Sequence, residues 1–239
     1  MRLKGVLMVI VVGGMIGLGK TTISKKLATA LHSQVFFENV EGNKILPLFY
    51  KASEADCQKY RYPFLLQLEF LNSRFSAIKK ALADNNNVMD RSIYEDWYFA
   101  KKNEELGRIS ELEMGIYEKL LNNMMEELDS LPKKAPDLMV YLKGSFETVI
   151  RHINSRGRSF ELGDDLINYY RFLWKDYDDW VYKCYKASPV ITLDMDKIDV
   201  VNHPEDMNRV VKLVEDNLPA LNRIHLADTS STDSKRLTH

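Results

Sequence analysis

From Val6 to Val12 the chain is apolar and rich in β-branched residues, and it then enters Gly13-Gly14. Such a run, with no polar alternation, predicts a strand buried on both faces. From Lys20 to Leu31 the apolar positions switch to helical spacing, and a short strand follows over Gln34–Glu38. The stretch Pro63–Ala83 places Leu66, Phe70, Arg74 and Ile78 along one helical face. The Asn85–Asn87 cluster breaks that helix, and Val88-Met89 opens a third strand ending at Asp90. Helices are predicted over Tyr94–Asn103 and Glu111–Leu128, and a fourth strand, Leu138–Leu142, comes after Pro136. A helix over Phe146–Ser155, an aromatic-rich helix over Asp165–Lys186, a fifth strand over Val190–Leu193 and a last helix from Pro204 to Asn217 complete the pattern. Strands alternating with helices predict an α/β fold: a five-stranded parallel sheet covered by helices on both faces. Residues 1–226 read as one domain, and the polar segment 227–239 reads as a disordered tail.

Composition narrows the function classes. A chain of 239 residues, 45% hydrophobic and 28% charged, suits one domain with a real core. A net charge of −1 supplies no basic field for a nucleic-acid polymer. Two cysteines, Cys57 and Cys184, form neither a disulfide framework nor a metal site, which fits a reducing compartment. Arg2 and Lys4 ahead of GVLMVIVVGG imitate a signal peptide, but the apolar run is too short to span a bilayer and no cleavage site closes it. The expectation is a cytoplasmic protein with no membrane partner.

The chemistry begins where the first strand meets its helix. Gly14, Gly19, Lys20 and Thr21 satisfy G-x4-G-K-[ST] between a predicted strand and a predicted helix. The loop Gly14, Met15, Ile16, Gly17, Leu18, Gly19, Lys20, Thr21 and Thr22 can turn backbone N–H groups and a helix N-terminus toward the phosphates of a nucleoside triphosphate such as ATP. Lys20 can reach the β- and γ-phosphates, and Thr21 can ligate Mg2+. Asp90, ending the third strand, is a second candidate Mg2+ ligand, and Arg91 beside it can reach a phosphate; an Asp–Arg ion pair reads equally well from these residues alone. Glu38, just after the second strand, fits either a general base for an attacking hydroxyl or a solvated loop acid, and is a further candidate metal ligand. Arg156-Gly157-Arg158 opens a loop between helices and suits a small lid, about 154–164, that closes on triphosphate charge. The N-K-x-D segment of a GTPase is missing.

Together these pieces resemble the deoxynucleoside kinase family, closest to its bacterial deoxyadenosine/deoxyguanosine kinase branch. The resemblance runs from the phosphate loop to about Asp194 and rests on GMIGLGKTT, FEN at Phe37–Asn39, LPLFY at Leu46–Tyr50, FLLQLEFLNSRF at Phe64–Phe75, DRSIYED at Asp90–Asp96 and RGRSFE at Arg156–Glu161. It implies a P-loop kinase fold and ATP- and Mg2+-dependent phosphorylation of a 2′-deoxynucleoside 5′-hydroxyl, deoxyadenosine first, with deoxyguanosine and deoxycytidine as further substrates. By the same resemblance Glu38 is the catalytic base and Gln67 pairs with the nucleobase edge. Arg74 and Asp96 contact its exocyclic groups, Tyr50 and Glu161 hold the sugar 3′-hydroxyl, Arg91 lies by the 5′-hydroxyl, and Arg156 and Arg158 are lid arginines. Phe70 and Phe37 are the aromatic residues expected at the base or sugar. A homodimer joined through Pro63–Ala83 and Glu111–Leu128 is also implied, as is a role in nucleotide salvage.

Two departures from the family pattern stand out. The arginine usual one helical turn before RGR is replaced by His152, while Arg151 lies about 100° round the helix. The stretch Lys51–Tyr62 is longer than in the bacterial enzymes and falls between the sugar tyrosine and the base glutamine. Two rival readings remain: a nucleoside monophosphate kinase of the thymidylate kinase type, and a non-catalytic nucleotide-binding subunit. The first needs extra acceptor arginines that the helix carrying Gln67 and Arg74 lacks; intact Lys20, Thr21, Glu38 and Asp90 argue against the second.

Overall fold

A computed structural model describes residues 8–38, 40, 42–83, 86–128 and 135–218 of the chain. Its centre is a five-stranded sheet in the order β2-β3-β1-β4-β5, built from β1 (Val9–Gly14), β2 (Gln34–Phe36), β3 (Asn87–Asp90), β4 (Leu138–Lys143) and β5 (Val190–Asp194). All pairings are parallel. The strand β1 is buried along its whole length, which is why its sequence carries no polar alternation. It continues through both glycines because Gly13 and Gly14 pair with Tyr141 and Leu142 of β4.

The sheet order decides where chemistry can happen. The chain visits β2 and β3 on one side of β1, then crosses to β4 and β5 on the other. Reversal of this kind opens a crevice at the carboxyl ends of the central strands. Gly14 ends β1, Asp90 ends β3, and Glu38 lies two residues past β2, so all three sit at the same edge of the sheet.

Helices cover both faces: α1 (Lys20–Ala30), α2 (Ile45–Lys51), α3 (Glu54–Tyr60), α4 (Tyr62–Ala83), α5 (Ile93–Glu105), α6 (Glu111–Leu128), α7 (Phe146–Arg156), α8 (Asp164–Lys175) and α10 (Pro204–Asn217), with a three-residue α9 (Tyr177–Asp179) before the last strand. Besides α2, which the sequence pattern does not announce, and a β2 that stops at Phe36, two larger features depart from that pattern. The predicted helix Asp165–Lys186 stops at Lys175; a break at Asp176 leads into α9 and a π turn over Trp180–Cys184. Packing outweighs periodicity there. The break lets Tyr177 and Trp180 seat against Tyr98 at ring separations of 5.0 and 5.5 Å, and Lys102 Nζ meets Asp176 at 2.6 Å.

The second departure is the Lys51–Tyr62 stretch, which is ordered as α3. Ser53 caps it by accepting from the Asp56 N–H at 3.1 Å, and Arg61 closes it in the left-handed region at φ 55°. The Arg61 guanidinium pairs with Glu113 of α6, so the stretch is bolted to a neighbouring helix. No helix among the described residues is long and apolar enough to cross a membrane. The segment 227–239, expected to be disordered, lies outside the described residues.

Candidate active site

The crevice is a cavity of about 1300 Å³, lined on one side by the loop from Ile16 to Thr22 and on the other by Phe37, Glu38, Tyr50, Gln67, Phe70 and Asp96. That exceeds the ~300–1,000 Å³ of ordinary single-ligand pockets, so two substrates can meet in it. Gly14 and Met15 lie beneath the loop, fully buried. Gly17 and Gly19 take φ values of 87° and 84°, where side-chain-bearing residues are strained. A Cβ on Gly19 would meet nothing within 4 Å, so the loop presents bare backbone to the cavity there. Lys20 Nζ arches back to the Met15 carbonyl at 2.9 Å. Burial, with help from Arg91, lowers its pKa to about 7. A buried lysine amine beside a glycine loop at a helix N-terminus fits a phosphate group.

Thr21 Oγ1 donates to Asp90 Oδ2 at 2.5 Å, and Asp90 Oδ1 is buried without a partner. Burial raises the Asp90 pKa although Lys20 and Thr21 oppose it. A hydroxyl beside an unsatisfied carboxylate oxygen fits Mg2+, which takes few protein ligands and draws the rest from phosphate and water.

Glu38 lies on the cavity wall opposite the loop. Arg74 Nη2 reaches its Oε1 at 2.8 Å and Arg91 Nε approaches its Oε2 at 3.5 Å. Burial alone would push this carboxyl up, but Arg91, Arg74 and Lys20 together hold it down to about 2. Arg74 also donates Nη1 to the Asp90 carbonyl at 2.7 Å and Nε to Asp96 at 3.2 Å. At 4% exposure it lies behind the cavity wall, whereas Asp96 and Gln67 form part of it. Burial, offset only in part by Arg74, lifts Asp96 to about 6. Gln67 is buried on α4 and its Oε1 has no partner, so the amide acceptor is free for a ligand.

The segment 154–164, expected to act as a lid, spans the end of α7, the turn after it and the start of α8. Gly157 leaves α7 at φ 68°, and Arg156 and Arg158 both pair with Glu161, the latter at 3.3 Å. Glu161 and Tyr50 share the cavity wall, and Tyr50 stacks on Phe160 at 6.0 Å. His152 Nδ1 is 2.9 Å from the Gly17 carbonyl, so the residue standing where an arginine is usual grips the phosphate loop. Arg151 also reaches the cavity wall despite its place round the helix, and it donates to Thr148 Oγ1 at 3.1 Å. None of residues 51–62 lines the cavity.

Residues 10–219 match the family model described as "Deoxynucleoside kinase". The chain belongs to that family. A deoxyguanosine kinase of Lactobacillus johnsonii is 44% identical over 86% of this chain and 90% of its own length, and a deoxyadenosine kinase of Lactobacillus acidophilus is 41% identical over 88% and 96%. The structure of a deoxyadenosine kinase from M. mycoides with bound dATP superposes with a TM-score of 0.70 at 27% identity, covering 87% of this chain and 99% of that one. Membership in the deoxynucleoside kinase family makes the chain a phosphotransferase acting on deoxynucleosides, and neither the monophosphate kinase nor the non-catalytic reading is favoured. Within this kinase, sequence reasoning passed over two parts of the site. One is the segment Met195–Asp206, which lines the cavity beyond the phosphate loop. The other is Glu95, buried beneath the site. The first carries no motif; the second is visible in sequence as the final residue of the S-x-x-E capping box that opens at Ser92.

Proposed function

We propose that this kinase transfers the γ-phosphoryl group of ATP to the 5′-hydroxyl of deoxyadenosine, with deoxyguanosine and deoxycytidine as weaker acceptors. The observation that carries it is the Glu38 carboxylate, held by two arginines between a phosphate loop and an amide-and-carboxylate wall. Glu38 accepts the 5′-hydroxyl proton as that oxygen attacks. Lys20, Arg91 and the lid arginines Arg156 and Arg158 hold the charge of the transferred group. Thr21 and Asp90, with Glu38 as a further candidate ligand, would hold Mg2+, which would supply neutralising charge at the phosphates.

Preference for adenine follows from hydrogen-bonding capacity. Guanine is read best by an arginine on its O6 and N7. Arg74 already directs Nε, Nη1 and Nη2 to Asp96, Asp90 and Glu38. The groups left to a base are the free Gln67 acceptor and Asp96, which suit an exocyclic amine such as adenine N6. Tyr50 and Glu161 bracket the sugar 3′-hydroxyl, and Phe70 and Phe37 flank the base. The cavity beyond the phosphate loop, toward Met195–Asp206, receives the donor nucleoside. A radiometric assay over the four deoxynucleosides, with ATP and GTP as donors, tests this: deoxyadenosine should show the highest kcat/KM. A leading rate with thymidine would overturn the base assignment.

The kinase acts in nucleotide salvage in the cytoplasm, as a homodimer. An exposed apolar stripe, Leu112, Ile116 and Leu120 at four-residue spacing on α6, supports the dimer, as does exposed Leu65 on the adjoining α4.

A further inference from the structure

Glu95 has no part in the steps above, yet it is fully buried. As the third residue of α5 its Oε2 accepts from the Ser92 N–H at 2.9 Å, and its own N–H donates to Ser92 Oγ at 3.3 Å. Capping alone explains those two bonds and needs no burial. The other oxygen does something different. Oε1 accepts from the Gly14 N–H at 3.1 Å, from Arg91 Nη1 at 3.2 Å and from the Tyr177 hydroxyl. One carboxylate oxygen thus joins the entry of the phosphate loop, the turn after β3 and the break after α8.

Arg91 is the residue this junction constrains. Its φ is 78°, in the left-handed region that a long side chain rarely occupies. Its N–H donates to the Val12 carbonyl at 3.0 Å, and its guanidinium lies 4.7 Å from the centre of the Phe99 ring. Backbone strain of this kind persists only where the surroundings over-determine it, and it gathers where geometry matters to chemistry. Two carboxylates pull on the same guanidinium from different sides, Glu38 at Nε and Glu95 at Nη1. Without the second, Glu38 would be the one carboxylate left on the guanidinium.

We propose that Glu95 is a positioning residue for phosphoryl transfer: it holds Arg91 in its left-handed conformation and fixes it to the first glycine of the phosphate loop, dividing the guanidinium between Glu38 and the transferred group. This rests on the reading of Arg91 and Glu38 given above. Glu95→Gln keeps the shape but replaces one acceptor oxygen with a donor, which must face either the Ser92 N–H or the donors at Oε1. The kcat of that variant should fall at least about tenfold, with KM for both substrates within about threefold of the parent, because the lost contact matters in the transition state. The deciding measurement is a double-mutant cycle. In an Arg91→Ala background Glu95→Gln should change kcat by less than about twofold, since its effect passes through Arg91. Equal fractional losses in both backgrounds would overturn the proposal and leave Glu95 a structural cap. If Glu95→Gln does not fold, Tyr177→Phe enters the same cycle; its smaller loss should likewise vanish in the Arg91→Ala background, and its persistence there would overturn the proposal. Glu38→Gln measured alongside reports on the base separately, so failure of one reading is not mistaken for failure of the other.

Discussion

Lys20 shows how burial stores a ligand's electrostatics in a single side chain. With its pKa lowered to about 7 by burial, the Lys20 amine is largely neutral in mildly alkaline solution unless an anion lies beside it. A bound triphosphate would place negative charge beside it and favour the protonated amine. The sign follows from linkage: the bound state holds the proton and the free state has lost it above pH 7, so affinity falls as pH rises through that value. Between pH ~7.5 and ~8.5 the donor should bind about eightfold more weakly, with uptake of about one proton at the upper end. Calorimetry in buffers of different ionisation enthalpy checks both, and Lys20→Arg, charged throughout, should flatten the profile. Glu38 is the complementary case. At a pKa of about 2 it is ionised over the whole working range, so it contributes no acid limb to kcat/KM near neutrality. Glu38→Gln should lower kcat by about 10²–10⁴-fold, the usual reach of general-base catalysis, with deoxynucleoside affinity changed only a few-fold. Near-normal single-turnover rates would remove Glu38 from that role.

Between elements, the phosphate loop depends on α7 as much as on its own glycines. A Cβ on Gly17 would lie 2.8 Å from the Val149 carbonyl and 3.0 Å from Ile153 Cγ1, both on α7, whereas one on Gly19 would meet open space. Gly17→Ala should therefore force α7 away, break the His152 contact and lower the melting temperature. Gly19→Ala should incur only the left-handed strain, a cost of about 1–2 kcal/mol, yet still impair donor binding because its methyl would enter the space proposed for phosphate. Melting curves with and without triphosphate separate the two; equal stability losses would contradict this division. The same contrast marks what was legible in sequence. Strands such as β1 and β4 declare themselves because burial on both faces leaves only apolar residues, and the loop declares itself because few residues tolerate its dihedrals. The break at Asp176 was not legible, since Asp165–Lys186 keeps a helical pattern and only packing of Tyr177 and Trp180 on Tyr98 reveals it. The sequence pattern sets Arg74 on the helical face of Gln67, but its withdrawal behind the wall depends on Asp90 and Asp96, which sequence brings no closer than 16 residues. The ordering of α3 was written in Ser53 and Asp56, a cap with too little apolar periodicity around it to be read as a helix.

In the proposed homodimer, the outer faces of α4 and α6 would link assembly to catalysis. Leu112 is 77% exposed and Ile116 50%, on a helix whose other side packs against α4 and α5. A two-fold interface pairs one such stripe with its own copy, which removes it from water without any second partner. Ile116→Glu would set like charges face to face across that axis. Light scattering should then report a mass near 27.7 kDa in place of twice that value. The catalytic consequence is specific, because α4 carries Gln67, Phe70 and Arg74 while the phosphate loop hangs from β1. Loosening the seam should raise KM for the deoxynucleoside several-fold and leave KM for the triphosphate nearly unchanged. A monomeric parent protein would refute the interface outright. A dimer in which Ile116→Glu alters neither mass nor KM would place the seam on another face, and the stripe on α6 would then need a different occupant.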